Sequence, residues 1–429
     1  MPPPRRALLR ALRHRNYRLF FSGQSVSLVG TWITRIATSW LVYRLTGSAL
    51  LLGIVGFCGQ IPTLVLAPFS GVLVDRWNRH RILVATQVLS MLQSLALAVL
   101  ALAGIITVTE ILVLQVAQGI INAFDTPARQ AFVIEMVEQR EDLPNAIALN
   151  SSMVTGSRII GPTIGGILIA AFGEGWCFMV DAISYLAVIA SLLAMRLAGE
   201  RALSVRRASA LEELREGVRY VSGFVPARTV LLLLALVSTM GMPYMVLMPA
   251  VASGVLHGGP HTLGFLMTAS GVGALTGALY LAARPSVLGL GRAIAVATAT
   301  FGVGLAAFAL SHTLWLSLVL LPVAGGGFMV QTASTNTILQ TIVDERLRGR
   351  VMAFYAMAFL GTAPIGSLVA GVVASRIGVQ MTIFLGGLAC VAGGAWFALR
   401  LPKLRAMIRP IYIERGILPA GPSDSAPVI

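Results

Sequence analysis

The chain has 429 residues, 56% of them hydrophobic and only 11% charged, with a net charge of +15 carried almost wholly by arginine. A soluble domain usually holds about 25% charged residues, so a water-soluble globule is excluded and lipid is the expected solvent for most of the chain. The arginines stand at the ends of apolar runs, which excludes a nucleic-acid-binding face, and the widely spaced Cys58, Cys177 and Cys390 offer no metal spacing and read as buried small hydrophobes.

A basic N-terminal arm, residues 1–18, leads into apolar runs of spanning length. About 20 residues cross a bilayer as a helix. The runs fall near 19–43, 50–74, 81–103, 109–125, 146–172, 176–196, 229–253, 262–283, 291–311, 314–338, 350–375 and 380–400. The expected fold is therefore an all-α polytopic membrane protein of twelve transmembrane helices. It comprises an N-terminal bundle of six over 19–196, a linker over 197–228, a C-terminal bundle of six over 229–400 and a tail over 401–429. In the linker, Glu212, Glu213, Arg215, Glu216 and Arg219 have the spacing of a short amphipathic helix. With both termini placed inside, 28 of the 32 Lys and Arg fall on the inner side. Only Arg44 and Arg376 fall outside, and Arg35 and Arg158 lie within spans. That bias predicts cytoplasmic termini. The halves also echo each other: Gly161, Gly166 and Gly173 match Gly366, Gly371 and Gly378 at a constant offset, which predicts a duplicated, pseudo-symmetric plan.

Buried charges are costly in a span and are often functional. In the first span Gln24, Thr31, Arg35 and Thr38 share a helical face expected to line a cavity. Arg35 reads either as a ligand for an anionic or oxygen-rich substrate or as a structural, snorkelling residue. On the fourth span Gln115, Gln118 and Asn122 form a polar face, and on the tenth Gln331, Thr335 and Asn336 do so without a charge. Arg158 either faces the cavity or braces the bundle. Asp181 is the best embedded acid, hence the candidate proton site, with partnership to Arg158 or a helix-start role as the alternatives. The seventh span carries Met240, Met242, Met245 and Met248 together with Pro243 and Pro249, the composition of a kinked helix. Those methionines are either an adaptable apolar surface or plain packing residues.

The turn after the second span runs Gly71, then Asp75-Arg76-Trp77-Asn78-Arg79-His80-Arg81. Charge placement alone makes it a topological anchor. It also resembles the signature loop of the major facilitator superfamily, with Asn78 in place of the usual Gly. The resemblance implies a cytoplasmic latch formed by Asp75, Arg76, Arg79 and Arg81. Its second-half counterpart is degenerate, with Leu281 where an Asp would stand.

Further stretches narrow the likeness: Pro127-Ala-Arg129-Gln130-Ala-Phe132, Asp142-Leu-Pro144-Asn145, Gly30-Thr31-Trp32 with Trp40 and Tyr43, and Arg348-Gly349-Arg350. Together these resemble the transmembrane secretion effector branch, akin to enterobactin exporters and macrolide-efflux proteins. The fifth-span run Gly161-Pro162-Thr-Ile-Gly165-Gly166 is similar to an exporter signature, though small-residue helix packing explains it equally well. Gln115 stands where the antiporter pattern has an Arg, which weakens a coupling scheme built on that residue.

The resemblance implies a secondary exporter of an amphipathic drug or siderophore in a bacterial inner membrane. It is expected to work by alternating access as a monomer in the lipid bilayer, with no cofactor beyond a proton gradient and no nucleic-acid partner. An importer or lipid flippase on the same fold is the alternative. A membrane-embedded enzyme is disfavoured because no catalytic cluster is present, and no nucleotide loop of the Gly-x4-Gly-Lys type appears.

Overall fold

The computed structural model describes residues 9–137, 139–196, 210–284 and 286–419. Twelve long helices are found among them: α1 Arg15–Thr46, α2 Ala49–Arg76, α3 Arg79–Leu102, α4 Val108–Met136, α5 Leu143–Phe172, α6 Glu174–Leu193, α7 Val225–Val255, α8 Pro260–Ala282, α9 Leu290–Ala309, α10 Leu314–Ile342, α11 Arg348–Ile377 and α12 Val379–Glu414. Ten are long and apolar enough to cross a membrane on length and composition alone. The two outside that set, α1 and α4, are diluted by Gln24, Thr31 and Arg35 and by Gln115, Gln118, Asn122 and Asp125. They are long enough, but their polar residues need protein or water rather than lipid beside them.

The duplication is visible in the packing. In the first half α1 packs on α5 and α6, α2 on α4, and α3 on α4 and α6. In the second half α7 packs on α11 and α12, α8 on α10, and α9 on α10 and α12. The matched glycines hold equivalent posts. Gly173 and Gly378 end α5 and α11 at φ 84° and 87°, where a side chain would be strained. A Cβ at Gly161 would overlap Trp32 of α1, and one at Gly366 would stand 2.5 Å from Thr239 O of α7.

The halves meet along two seams, α5 on α8 and α2 on α11. Both need backbone against backbone. A Cβ on Gly166 would lie 2.7 Å from Pro260 O, and one on Gly264 2.6 Å from Pro162 O. On the second seam a Cβ on Gly371 would lie 2.9 Å from the Gly53 Cα. Across the first seam Thr163 and Thr268 hydrogen-bond through their hydroxyls at 2.6 Å.

These approaches lie at one end of the molecule only. The core there is common to both halves, from Ile36 and Leu41 through Phe178 to Leu263, Phe301 and Cys390. The opposite end carries the Arg76–Arg79 turn and the linker helix. There the halves have separate cores, one around Tyr17, Leu83 and Phe132 and the other around Ile294, Leu339 and Phe397. A cleft therefore opens between the halves at this basic end.

Local departures from the sequence expectations have clear causes. Helix α4 runs eleven residues past the expected 125, with Pro127 inside it. Proline is tolerated because neighbouring helices re-satisfy the freed carbonyl. Helix α12 continues through Pro402 and Pro410 to Glu414, so much of the expected tail is helical. The α7 kink takes the form of two π-helical turns, Val237–Gly241 and Val251–Val255. The first contacts a third π turn in α11, Met357–Gly361, through a Ser238 hydroxyl donating to Phe359 O at 2.5 Å. The linker helix covers Ala210–Gly223, with Glu216 paired to Arg350 of α11 at 2.7 Å. Residues 197–209 and the Glu212 and Glu213 side chains lie outside the described residues, as do 1–8 and 420–429.

The N-terminal arm shows what the Asp142-to-Asn145 motif does. His14 lies 3.1 Å from Asp142, Ala11 N donates to Asn145 Oδ1 at 2.9 Å, and Tyr17 donates to Ala146 O at 2.7 Å.

If the seam requires backbone contact, Gly166→Leu must push α8 away. Overpacking of this kind costs about 1–3 kcal/mol, and thermal unfolding in detergent should show a lowered melting temperature. Gly156→Leu is the control, since a Cβ there meets nothing within 4 Å.

Candidate functional site

The closed end of the cleft is built by α1, α5 and α7. Gly161 of α5 leaves room for Trp32 of α1. The guanidinium carbon of Arg35 lies 5.1 Å from the centre of the Trp32 ring, and that of Arg158 lies 6.0 Å from the same ring. Arg158 also approaches Met245 Sδ of α7 at 3.7 Å, which bridges the two halves. Its Nε is buried with no hydrogen-bond partner. Among the described residues neither arginine has a carboxylate within ion-pair distance. Arg35 and Thr31 are exposed, while Gln24 and Thr38 of the expected cavity face are buried in the helix packing.

Asp181 is buried deeply within the first half and accepts a hydrogen bond from the Ser94 hydroxyl of α3 at 2.6 Å. It packs against Gly30, whose missing Cβ makes room for it. It forms no ion pair with Arg158. Tyr185, on the same helix, reaches Thr31 at 3.5 Å.

A second embedded acid, Asp125, stands at the end of the apolar run expected for the fourth span, which does not mark it as embedded. Since α4 continues, Asp125 sits inside the bundle, 5% exposed. It accepts from Gln87 Nε2 at 2.7 Å and from the Thr86 hydroxyl at 3.1 Å, and it pairs with Arg129 one turn later at 2.9 Å. The available signal was Asp125 and Arg129 at i, i+4 spacing with no break between them but a tolerated proline. Thr86, Gln87, Ser90, Gln93 and Ser94 make one buried polar stripe on α3, running between the Asp125 and Asp181 levels.

The remaining expected residues divide. Gln118 donates to Ser90 and to Asn122, both at 3.2 Å, while Gln115 packs against Gly59 of α2. All three are engaged within the first half. Gln331 is fully buried in the second half beside Thr332 and Thr335. Asn336 accepts from Gln340. The structure thus brings Thr31, Arg35 and Arg158 together, and leaves Gln24, Gln115, Asn122, Gln331 and Asn336 apart from them.

At the basic end, Gly71 lies on α2 with open space beside it, and Arg76 and Arg81 are exposed. Arg79 pairs with Glu135 of α4 at 2.6 Å. Asn78 is not a left-handed turn residue. At φ −64° it caps α3, its side chain accepting from Arg81 N at 3.1 Å. His80 lies 2.9 Å from Leu192 O of α6. The Asp75 side chain, expected at the centre of the latch, lies outside the described residues.

Removing Asp125 would strand Arg129, Thr86 and Gln87. Leaving such a charge unpaired costs about 3–5 kcal/mol, so Asp125→Ala should unfold well below wild type in a thermal scan. Asp125→Asn, which keeps acceptor capacity, should lose less.

Residues 7–411 match the family model described as transmembrane secretion effector. The chain is 26% identical to the staphyloferrin A transporter of Staphylococcus aureus over 392 residues, covering 90% of this chain and 97% of that protein. It is 30% identical to the multidrug efflux pump Tap of Mycolicibacterium fortuitum over 386 residues, 88% and 93% of the two chains. With macrolide efflux protein A of Streptococcus pyogenes it shares 24% over 392 residues, 89% and 96%. Among solved structures it resembles a mutant of the nucleoside transporter NupG (TM-score 0.71, 12% identity, 90% of this chain and 99% of that one). It also resembles a bacterial homologue of the human lysosomal transporter Spinster in an inward-facing, occupied conformation (TM-score 0.69, 15% identity, 90% and 96%). The chain is a multi-pass membrane protein with the major facilitator fold, and it belongs to the transmembrane secretion effector family of transporters.

Proposed function

We propose that the protein is a secondary exporter that moves an amphipathic small molecule out of the cell by alternating access. The observation that carries this reading is the asymmetry of the cores. The halves share a core at one end and have separate cores at the other, with Arg35 and Arg158 near the meeting point. A transporter cycles between such a state and its mirror by rocking one bundle against the other.

The arginine bias makes the basic end cytoplasmic, in a bacterial inner membrane, so the cleft as it stands loads from the cytoplasm. The siderophore, multidrug and macrolide substrates named for the relatives support export of bulky amphipathic compounds. A proton gradient is the proposed energy source. Asp181 and Asp125 are the membrane-embedded carboxylates that would carry the coupling, in place of the arginine that Gln115 replaces. The turn that carries Asp75, Arg76, Arg79 and Arg81 would latch the cytoplasmic side in the opposite state.

Two results are expected. Cells expressing the protein should retain less of at least one compound from a panel of siderophores and drugs, and an uncoupler should abolish the difference. Higher retention with the protein present would make it an importer. The second result concerns the seam. Thr163→Cys with Thr268→Cys should form a disulfide that holds the outer end shut. Export should fall to background when it is oxidised and return with reductant. Undiminished export from the cross-linked protein would rule out rocking about this seam.

A further inference from the structure

Among the described residues, the two arginines at the closed end of the cleft have no carboxylate within ion-pair distance. Among the described residues the second half carries no acid within its spans before the basic end: its carboxylates there are Asp344 and Glu345 in the turn before α11, and Glu414 at the far end of α12. The two carboxylates embedded in the first half are already held, Asp181 by Ser94 and Asp125 by Arg129, Gln87 and Thr86. An unpaired cation inside a membrane protein is unfavourable, and such groups face cavities where a partner comes and goes. Arg158 adds a specific sign of a missing partner, because its buried Nε–H finds no acceptor.

The shape of the site restricts what the partner can be. Both guanidinium groups lie within 6.0 Å of one indole ring. Trp32 is seated against α5, its Cβ in the space left by Gly161. Met245 Sδ of the other half lies beside Arg158. A planar oxyanion suits two guanidinium forks, which bind carboxylates through paired hydrogen bonds. An apolar, ring-bearing body suits an indole and a thioether, which offers adaptable contact.

We propose that Arg35 and Arg158 form an anion clamp over the Trp32 platform, and that the transported compounds are amphipathic organic anions held by a carboxylate or sulfonate group. The inference rests on the export reading and names its substrate class. Because Arg158 belongs to the first half and touches Met245 of the second, an anion held there also sits where the halves pivot.

The test uses the purified full chain and two probes of matched shape and opposite charge, radiolabelled 2-naphthoate and 2-naphthylmethylammonium, in equilibrium dialysis. Wild-type protein should bind naphthoate and discriminate against the ammonium compound. Arg35→Gln and Arg158→Gln should each weaken naphthoate binding on the order of tenfold, the loss of one charge-assisted hydrogen-bonded partner. Arg35→Lys and Arg158→Lys, which keep the charge and lose the fork, should fall between. They carry the test if the Gln variants do not fold. No naphthoate binding by wild type up to about 10 mM, equal binding of the two probes, or binding indifferent to both arginines would overturn the clamp. Export of other compounds by a protein with any of those results would leave the transporter reading standing. Arginine-dependent naphthoate binding in a protein that exports nothing would leave the clamp and remove the export reading.

Discussion

The closure of one end of this molecule rests on glycine against backbone. At Gly166 and Gly264 on one seam, and Gly53 and Gly371 on the other, no Cβ fits between the halves. Lipid supplies no hydrophobic driving force between helices already in a membrane, so close van der Waals packing of this kind is what holds them together. Because the contact is intimate, it is also short. It ends at Arg158 and Ile159 facing Gly271 on the first seam, and at Leu64 facing Gly361 on the second. Below those points the halves own separate cores.

The polar chemistry is arranged around that boundary. Polar side chains in the first half are mostly satisfied internally, through the α3 stripe, Asp125 and Asp181. In the second half Gln331 and Thr335 bond to each other and none of the groups inside the spans is acidic. At the boundary itself stand the cations of α1 and α5: Arg35 is exposed and the Nε of Arg158 is buried without an acceptor, as are the hydroxyls of Thr34 and Thr38 on α1. The two bundles thus have different roles despite their common plan. The first carries the charges, and the second carries three π turns along α7 and α11 beside the seams. Such turns loosen a helix locally and are frequent at functional positions.

Much of the fold was legible in the sequence because membrane physics is strict. Apolar runs marked the spans, and glycines at a constant offset marked the duplication, with Gly173 and Gly378 sharing even their backbone conformation. The site was legible only in part. Arg35 and Arg158 were visible as charges inside spans, but their shared contact with Trp32 depends on how α1 and α5 pack, which periodicity does not encode. Gln24 lay on the same helical face as Arg35, yet a face as wide as this one spans both cleft and bundle interior. Asp125 was hidden because the fourth apolar run ends there, while the helix itself continues through Pro127, which is tolerated where neighbours surround the backbone. Asn78 stands where the signature loop has a Gly, and it is a helix cap, since its side chain can satisfy an amide that glycine cannot.

The central claim is that the two halves are hinged at the glycine seams, so that the two ends open in opposition. Paired spin-label distances in lipid test it most directly. One pair would sit at the basic end on Ile147 of α5 and Leu279 of α8, the other at the closed end on Phe172 and His261, all four exposed. Across a pH titration, populations with a shortened basic-end distance should be those with a lengthened distance at the closed end. A closed-end distance that stays fixed while the basic end moves, or two distances that rise and fall together, would contradict the account.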